Sequence, residues 1–564
     1  MYNHGFLYIP KTYAERPAPA VLCPHGHWPG GNVHPAVQSR CLVLAKLGYV
    51  VFSPFQQHFD DLPLGISCQT VMIWNNIRAL DYLESRPDVD RHRIGCTGCS
   101  GGGLQTQMLI AVDDRVKAAT IVGMTCEYRE IMFPYTAHCR CNHFPNIMRY
   151  TDQPEISTLS LPLPVQYLTM DDWTHRFRTD NFPAVQALYA ANDAQGRADC
   201  QYWATPHLYD QPKRERMYAW MQRWLRGGGE ADSPESIPEP KVTTFLPEEL
   251  AALTLDVPED KGFAHLGELA RARLRYRERP LKTRAQWRAY HTEMKAAAVE
   301  LLGEEFALPR TGAAEVVRRS VDGAVAVEWL RYPSEADLQI PAILAGPAER
   351  ESRKKLPVAI LLDDRGKDRL WADEGPDSAA ALAAGGSLVL LPDVRFHGEL
   401  QLSTLAGLAP EHLQHKPFSH MREPDKPDWN MAWTRNAILW GRPLPGQAAT
   451  DLQAALDFLS TRPEADLTRV RLVAAGRPAA AALLAAVLDP RFDPVELDFQ
   501  GRSFGNGKLP LVPSVLRHGD VCQWAAALAD RSVTLTGLAE DEEGVGQLRA
   551  AFEATGDLGA LQIE

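Results

Sequence analysis

From residue 18 onward the chain alternates short apolar runs with longer stretches in which apolar positions recur every three or four residues. Strands joined by crossover helices leave this pattern. Runs at 20–23, 49–53, 93–97, 118–123, 165–169 and 201–204 predict strands, and 37–47, 70–84, 102–112 and 218–225 predict helices. A stretch rich in Gly, Pro, Ser and acidic residues at 227–242 predicts a linker. Residues 247–303 read as helical and highly charged, and the strand–helix alternation resumes near 356 and runs almost to the end.

The second alternating region repeats the first. Adding 376 to the numbering aligns 79–116 with 455–492 without a gap, and Ala79, Leu80, Asp81, Leu83, Arg86, Pro87, Asp90, Arg93, Asp113 and Arg115 all meet identical residues. The run 49–54 also resembles 387–392. Two related α/β domains in tandem are expected: 1–228, then a linker and helical connector at 229–310, then 311–564.

Composition narrows the classes. At 564 residues the chain exceeds what one hydrophobic core holds. A net charge of −12 disfavours nucleic acid as a partner, because phosphate binding needs a basic face. The longest apolar candidate, 479–488, falls well short of the roughly 18 residues of a membrane span, so no membrane partner is expected. No basic-then-apolar signal opens the chain, which predicts a cytoplasmic protein, or an exported one if the natural N-terminus is longer. Of the ten cysteines, Cys23, Cys96 and Cys99 fall on expected core strands or the turn discussed next, so buried free thiols are expected. Cys139 and Cys141 form a C-x-C that suits redox or metal chemistry, but no second pair stands at zinc-site spacing, and no metal or cofactor is expected.

Gly98-Cys99-Ser100-Gly101-Gly102 carries the chemistry. This G-x-S-x-G follows an expected strand and precedes an expected helix, the setting of a nucleophile elbow. A serine hydroxyl needs a base to take its proton and a third group to orient that base. The strand at 165–169 ends in Asp171-Asp172-Trp173-Thr174, which offers an acid at either carboxylate, and the strand at 201–204 ends in Thr205-Pro206-His207, which offers the base. An oxyanion formed at Ser100 needs preorganised N–H donors. Gly101 supplies one, and the loop Pro24-His25-Gly26-His27-Trp28 supplies the other, expected at His27 with Trp28 packed over the acyl pocket. The same loop permits a rival, a metal held by His25 and His27 with His34 nearby, though later strands offer no convincing further ligands.

With those residues in view, the first 228 residues resemble α/β hydrolases of the acetyl xylan esterase-like and dienelactone-hydrolase-related type, a mainly bacterial group. The resemblance rests on Pro24-His25-Gly26-His27-Trp28, the elbow Gly98 to Gly103, Asp172-Trp173-Thr174, and Pro206-His207 followed by Gln211-Pro212-Lys213-Arg214-Glu215. It implies an α/β-hydrolase fold, selects Asp172 over Asp171 as the orienting acid, and marks His207 as the base. It places His25, Gly26, Trp28, Cys99 and Trp173 around the substrate pocket, and implies a small-molecule or carbohydrate ester as substrate. A peptidase or amidase on the same fold, and a non-catalytic binding protein, are the competing expectations.

The repeat doubles as an internal control. Ala474, Gly476 and Pro478 stand where the first copy has Gly98, Ser100 and Gly102, and the loop equivalent to the oxyanion loop reads Asp363-Asp364-Arg365-Gly366. Without a nucleophile, and with acids where negative charge would develop, the second copy is expected to be a degenerate, silent α/β-hydrolase-like domain.

Overall fold

The structure is a computed structural model, which describes residues 3–132, 139–227, 234–251, 262–349, 355–401, 429–540 and 542–564. The expected boundary at 228/229 lies outside the described residues. Among those described, no helix is long and apolar enough to cross a membrane. The chain forms two compact units, one of the described residues up to Asp60 and Ile66–Glu268, the other of Asp61–Gly65 and the described residues from Leu269 on.

The first unit is a seven-stranded sheet in the order β1-β3-β2-β4-β5-β6-β7. Its strands are β1 (Gly5–Tyr8), β2 (Ala18–Leu22), β3 (Val50–Pro54), β4 (Val89–Cys99), β5 (Val116–Val122), β6 (Val165–Met170) and β7 (Ala198–Trp203). All pair in parallel except β1, which runs antiparallel to β3. Side chains alternate between the two faces of a strand, and the core divides accordingly. Ala20, Leu22, Ile94, Cys96, Ala119 and Ile121 face one apolar cluster, while Val21, Cys23, Cys99, Ala118 and Val122 face another. Helices α2 (Cys68–Ser85) and α3 (Gly101–Val112) bury Leu80, Leu83, Leu104 and Leu109 against the first face. Helix α1 (Pro35–Lys46) and the closing helix Gln211–Arg226 bury Leu44, Met217 and Met221 against the second. Every crossover therefore ends its strand at the same sheet edge, and that edge carries the loops of interest.

The segment expected as a linker is not free where it is described. Arg214 donates two hydrogen bonds to Glu239 (2.7 and 2.8 Å), Gln38 and Phe245 exchange a reciprocal pair (both 2.9 Å), and Ile237 and Val242 pack on the core. A polar, Pro-rich segment that satisfies itself on a folded surface lies along that surface rather than spanning space. Part of the expected connector likewise clusters with the second unit. There the helix Arg284–Leu302 is capped by Thr283 and buries Trp287, Tyr290 and Met294.

The second unit holds nine strands in the order β16-β15-β14-β13-β11-β12-β10-β9-β8. They are β8 (Glu315–Asp322), β9 (Val325–Glu335), β10 (Leu338–Pro347), β11 (Leu356–Leu362), β12 (Leu388–Pro392), β13 (Ala465–Ala475), β14 (Phe492–Asp498), β15 (Val533–Thr536) and β16 (Leu561–Ile563). From β10 to β16 the order and directions reproduce β1 to β7, and β8 and β9 extend the edge as an antiparallel meander. The offset of 376 holds in three dimensions: β4 and β5 map residue for residue onto β13 and β14. Asp113 pairs with Arg115 at 2.6 Å as Asp489 pairs with Arg491 at 2.6 Å, each closing the turn between a helix and the next strand. Both units thus have an α/β-hydrolase fold, the second with added strands.

Candidate active site

The turn from β4 into α3 is built around Ser100, which sits at φ 59°, ψ −125°. A non-glycine residue there is strained by about 1–3 kcal/mol. The strain persists because the surroundings leave the turn no alternative. The Ser100 N–H donates to Val122 O (2.9 Å), which continues the sheet for one more rung. A Cβ on Gly98 would collide with the Gly102 carbonyl, and one on Gly102 would collide with Pro24 O. Only residues without a Cβ let strand, helix and neighbouring loop approach this closely.

The loop from Pro24 to Trp28 lies directly on this turn. A Cβ on Gly26 would stand 2.6 Å from Cys99 O and 3.0 Å from Ser100 Cβ. Arg40, fully buried on α1, holds the loop's start by donating to Pro24 O (2.9 Å), and its guanidinium lies 5.4 Å from the Tyr209 ring. Gly101 opens α3, so its N–H precedes the helical hydrogen-bond ladder.

Asp172 and His207 come together. His207 Nδ1 lies 2.6 Å from Asp172 Oδ2, and a carboxylate can only accept, so Nδ1 carries the proton and Nε2 is left as the basic nitrogen. Asp172 is fully buried. Its other oxygen accepts from the Thr174 N–H (2.7 Å) and the Thr174 hydroxyl (2.5 Å). Asp171 instead accepts from the Tyr202 hydroxyl at the partly exposed rim. His207 rides on a loop whose two ends are tied by fully buried Lys213, which donates to Thr205 Oγ1 (2.8 Å) and Asp210 Oδ1 (3.0 Å). The Trp173 ring lies 4.5 Å from the imidazole and the Trp28 ring 6.4 Å away. Gly123, one residue past the carbonyl that holds Ser100, has the His207 ring 3.0 Å from where its Cβ would be. His207 Nε2 has no hydrogen-bond partner among the described residues. No hydrogen bond joins His207 Nε2 to the Ser100 hydroxyl.

Three residues expected around the pocket are buried. Cys99 is fully buried in the core beside Val21 and Val122, where burial pushes its thiol up to about 12. Trp173 is buried and backs the imidazole. His25 is 4% exposed. Its Nδ1 donates to Gly26 O (2.7 Å) and its Nε2 accepts from the Gln56 N–H (2.9 Å), so it is a strut inside the loop. Strand-end positions alternate in and out, and the apolar or doubly hydrogen-bonded side chains take the inward places. Trp28 alone of the expected pocket side chains keeps partial exposure. The rival metal set does not assemble either, since His34 caps α1 by accepting from the Ala36 N–H.

Burial, above all, pushes the His25 imidazole down to about 4 from an unfolded value of 6.5. Above pH 6.5 both states are neutral there and the contribution to stability is complete. As pH falls from 6.5 to 4 the unfolded chain binds a proton that the folded one refuses, and about 3 kcal/mol is lost. The expected result is a urea midpoint that drops over this window in the wild type and more shallowly in His25→Gln; parallel curves would count against it.

Thr174, Lys213 and His58 have no role that spacing alone assigns. Thr174 has a local signal, an Asp-x-Thr whose second side chain caps the first. Lys213 has only its place in the motif Gln211 to Glu215, and His58 has none. His58 Nε2 lies 3.2 Å from His27 Nε2 and 3.5 Å from Cys139 Sγ, and Cys141 Sγ lies 3.7 Å from His27 Nε2. Hydrogen bonds from Cys141, then from His27 and His58, hold the Cys139 thiol far below its ordinary value.

No family model matches the chain. A Bacillus subtilis (strain 168) protein named as a hydrolase, YtaP, is 27% identical over 252 residues, covering 39% of this chain and 82% of its own length. Among solved structures, methylesterase BT1017 aligns with a TM-score of 0.34 and 27% identity over 40% of this chain, which spans about half (52%) of that protein. A Bacteroides fragilis NCTC 9343 protein named as an acetyl xylan esterase aligns with a TM-score of 0.42 and 15% identity, covering 54% of this chain and 82% of its own.

Proposed function

We propose that the chain is a serine ester hydrolase that works through an acyl-enzyme intermediate on its first unit. The observation that carries this is the buried Asp172–His207 pair at 2.6 Å, which leaves a basic Nε2 at the sheet edge where Ser100 is held in a strained turn. His207 Nε2 takes the Ser100 proton as Oγ attacks the ester carbonyl carbon. The oxyanion rests on the N–H groups of Gly101 and His27. His207 then gives its proton to the departing alcohol, and a water, deprotonated by the same nitrogen, releases the acyl group. Asp172 orients the imidazole and stabilises it when protonated. No cofactor is needed for these steps. The similarity to a protein named as a hydrolase supports the reaction class. The motif resemblance points to small acyl groups on a carbohydrate.

The second unit is proposed to be silent. Gly476 replaces the nucleophile at φ 77°, with its N–H on Asp498 O (2.8 Å) as Ser100 has its own on Val122 O. Where an oxyanion would sit, the Asp364 carboxylate accepts from the Arg477 N–H (3.2 Å) and guanidinium (2.6 Å). A side chain at Gly476 would collide with that carboxylate. A fluorophosphonate probe on the folded chain is expected to label one serine, Ser100, and none in 311–564. Acetyl esters should turn over while matched short peptide amides do not. An unlabelled Ser100 would favour a binding protein, and preferential amide cleavage would favour a peptidase.

A further inference from the structure

Four metal-ligand side chains from three separate loops of the first unit converge beside the oxyanion loop: His27, His58, Cys139 and Cys141, with one ligand atom from each lying within 4.8 Å of all the others. We propose that these four residues bind one zinc ion as a closed Cys2His2 site. This assignment is independent of the esterase reading.

The distances carry it. Zinc sits about 2.0–2.1 Å from imidazole nitrogen and about 2.3 Å from thiolate sulfur in a tetrahedron. Those radii place two nitrogens about 3.3 Å apart and a nitrogen and a sulfur about 3.6 Å apart. The structure has 3.2 Å for His27 Nε2 to His58 Nε2, 3.5 Å for Cys139 Sγ to His58 Nε2 and 3.7 Å for Cys141 Sγ to His27 Nε2. The imidazole planes are within 5° of parallel with centroids 5.1 Å apart, farther apart than their Nε2 atoms, so the two rings turn those nitrogens toward each other. Two nitrogens and two sulfurs are a donor set that suits zinc over harder cations.

The surroundings look built for the purpose. Asn142 Nδ2 donates to Cys141 Sγ (3.6 Å), as a partner outside the ligands does for a thiolate. Arg140 ties the loops from outside, donating to His58 O (3.0 Å) and pairing with Asp60 (3.2 Å). Cys68 and Met72 form an apolar floor under Cys141. Binding needs both cysteines as thiolates and both imidazoles neutral. With four protein ligands there is no open position, so the role is structural. The His27 ring lies 3.0 Å from where a Cβ of Gly101 would be. A metal there would pin the oxyanion loop to the elbow.

The test uses the full chain, purified without chelator, with zinc measured by elemental analysis. About one zinc per chain is expected to survive gel filtration, as for structural sites. His58→Ala and Cys139→Ser should each weaken zinc binding at least about tenfold. Cobalt(II) added to the stripped wild type should give a thiolate-to-cobalt charge-transfer band, a readout that needs no variant to fold. Folded wild type that holds no zinc and gives no such band would overturn the proposal. So would a Cys139–Cys141 disulfide that persists when zinc is supplied under reducing conditions.

Discussion

Ser100→Ala is expected to lower kcat/KM for a small acetate ester by roughly 10⁴- to 10⁶-fold, the cost seen when a triad nucleophile is removed. The loss should be purely chemical. The Ser100 side chain makes no capping hydrogen bond to α3, and alanine meets the same backbone strain as serine at φ 59°, so far-UV circular dichroism and the urea midpoint should not move. Ser100→Gly sharpens the test. Glycine occupies that region without the clash, as Gly476 does in the second unit, and should raise stability by about 1 kcal/mol once its greater unfolded entropy is set against the relieved strain. A protein made more stable and inactive by one substitution would show strain held in place for chemistry. Near wild-type turnover in Ser100→Ala would end the serine reading.

What the chain discloses by itself follows from how local each signal is. Strands β2 to β7, helices α1 to α3 and the closing helix of the first unit are legible because apolar runs and helical periodicity are properties of short windows, and the glycines of the elbow mark one turn; β1 and the helix Phe182–Ala191 are not predicted. Strand ends then order Asp172 and His207 without any knowledge of distance. The choice between Asp171 and Asp172 needs three dimensions or a resemblance, since both lie at one strand end; their partners, Tyr202 and Thr174, separate them only in space. The antiparallel strands β8 and β9 carry a hairpin signal, Asp322-Gly323 between alternating runs, which the parallel alternation around it overshadows. The burial of His25, Cys99 and Trp173 is not legible either: a motif says that a side chain is near a site, not which way it points. The C-x-C at Cys139 and Cys141 is visible in the sequence, but its convergence with His27 and His58 is out of reach of spacing rules, because the four side chains come from three loops whose separations reflect intervening strands and helices.

Asp172→Asn should cost roughly 10⁴-fold in kcat, by the logic of the wrong imidazole tautomer. Both carboxylate oxygens of Asp172 face donors: Oδ2 meets His207 Nδ1–H, and Oδ1 meets the N–H and hydroxyl of Thr174. An amide has one acceptor and one donor end. With its NH2 toward Thr174 it sets donor against donor in a fully buried place, so the NH2 turns to the imidazole. Nδ1 must then accept, the ring proton moves to Nε2, and the nitrogen that should take the serine proton is already protonated. The fold should survive, because the substituted group keeps its shape and the Thr174 bonds. Asp171→Asn is the matched control, one residue away on the same turn but bonded to the Tyr202 hydroxyl at the partly exposed rim; its kcat should stay within about twofold, as for surface changes away from packed or charged networks. Steady-state kinetics of the two variants on one acetate ester decide the matter, and a larger loss at 171 than at 172 would reassign the acid and, with it, the orientation of the base.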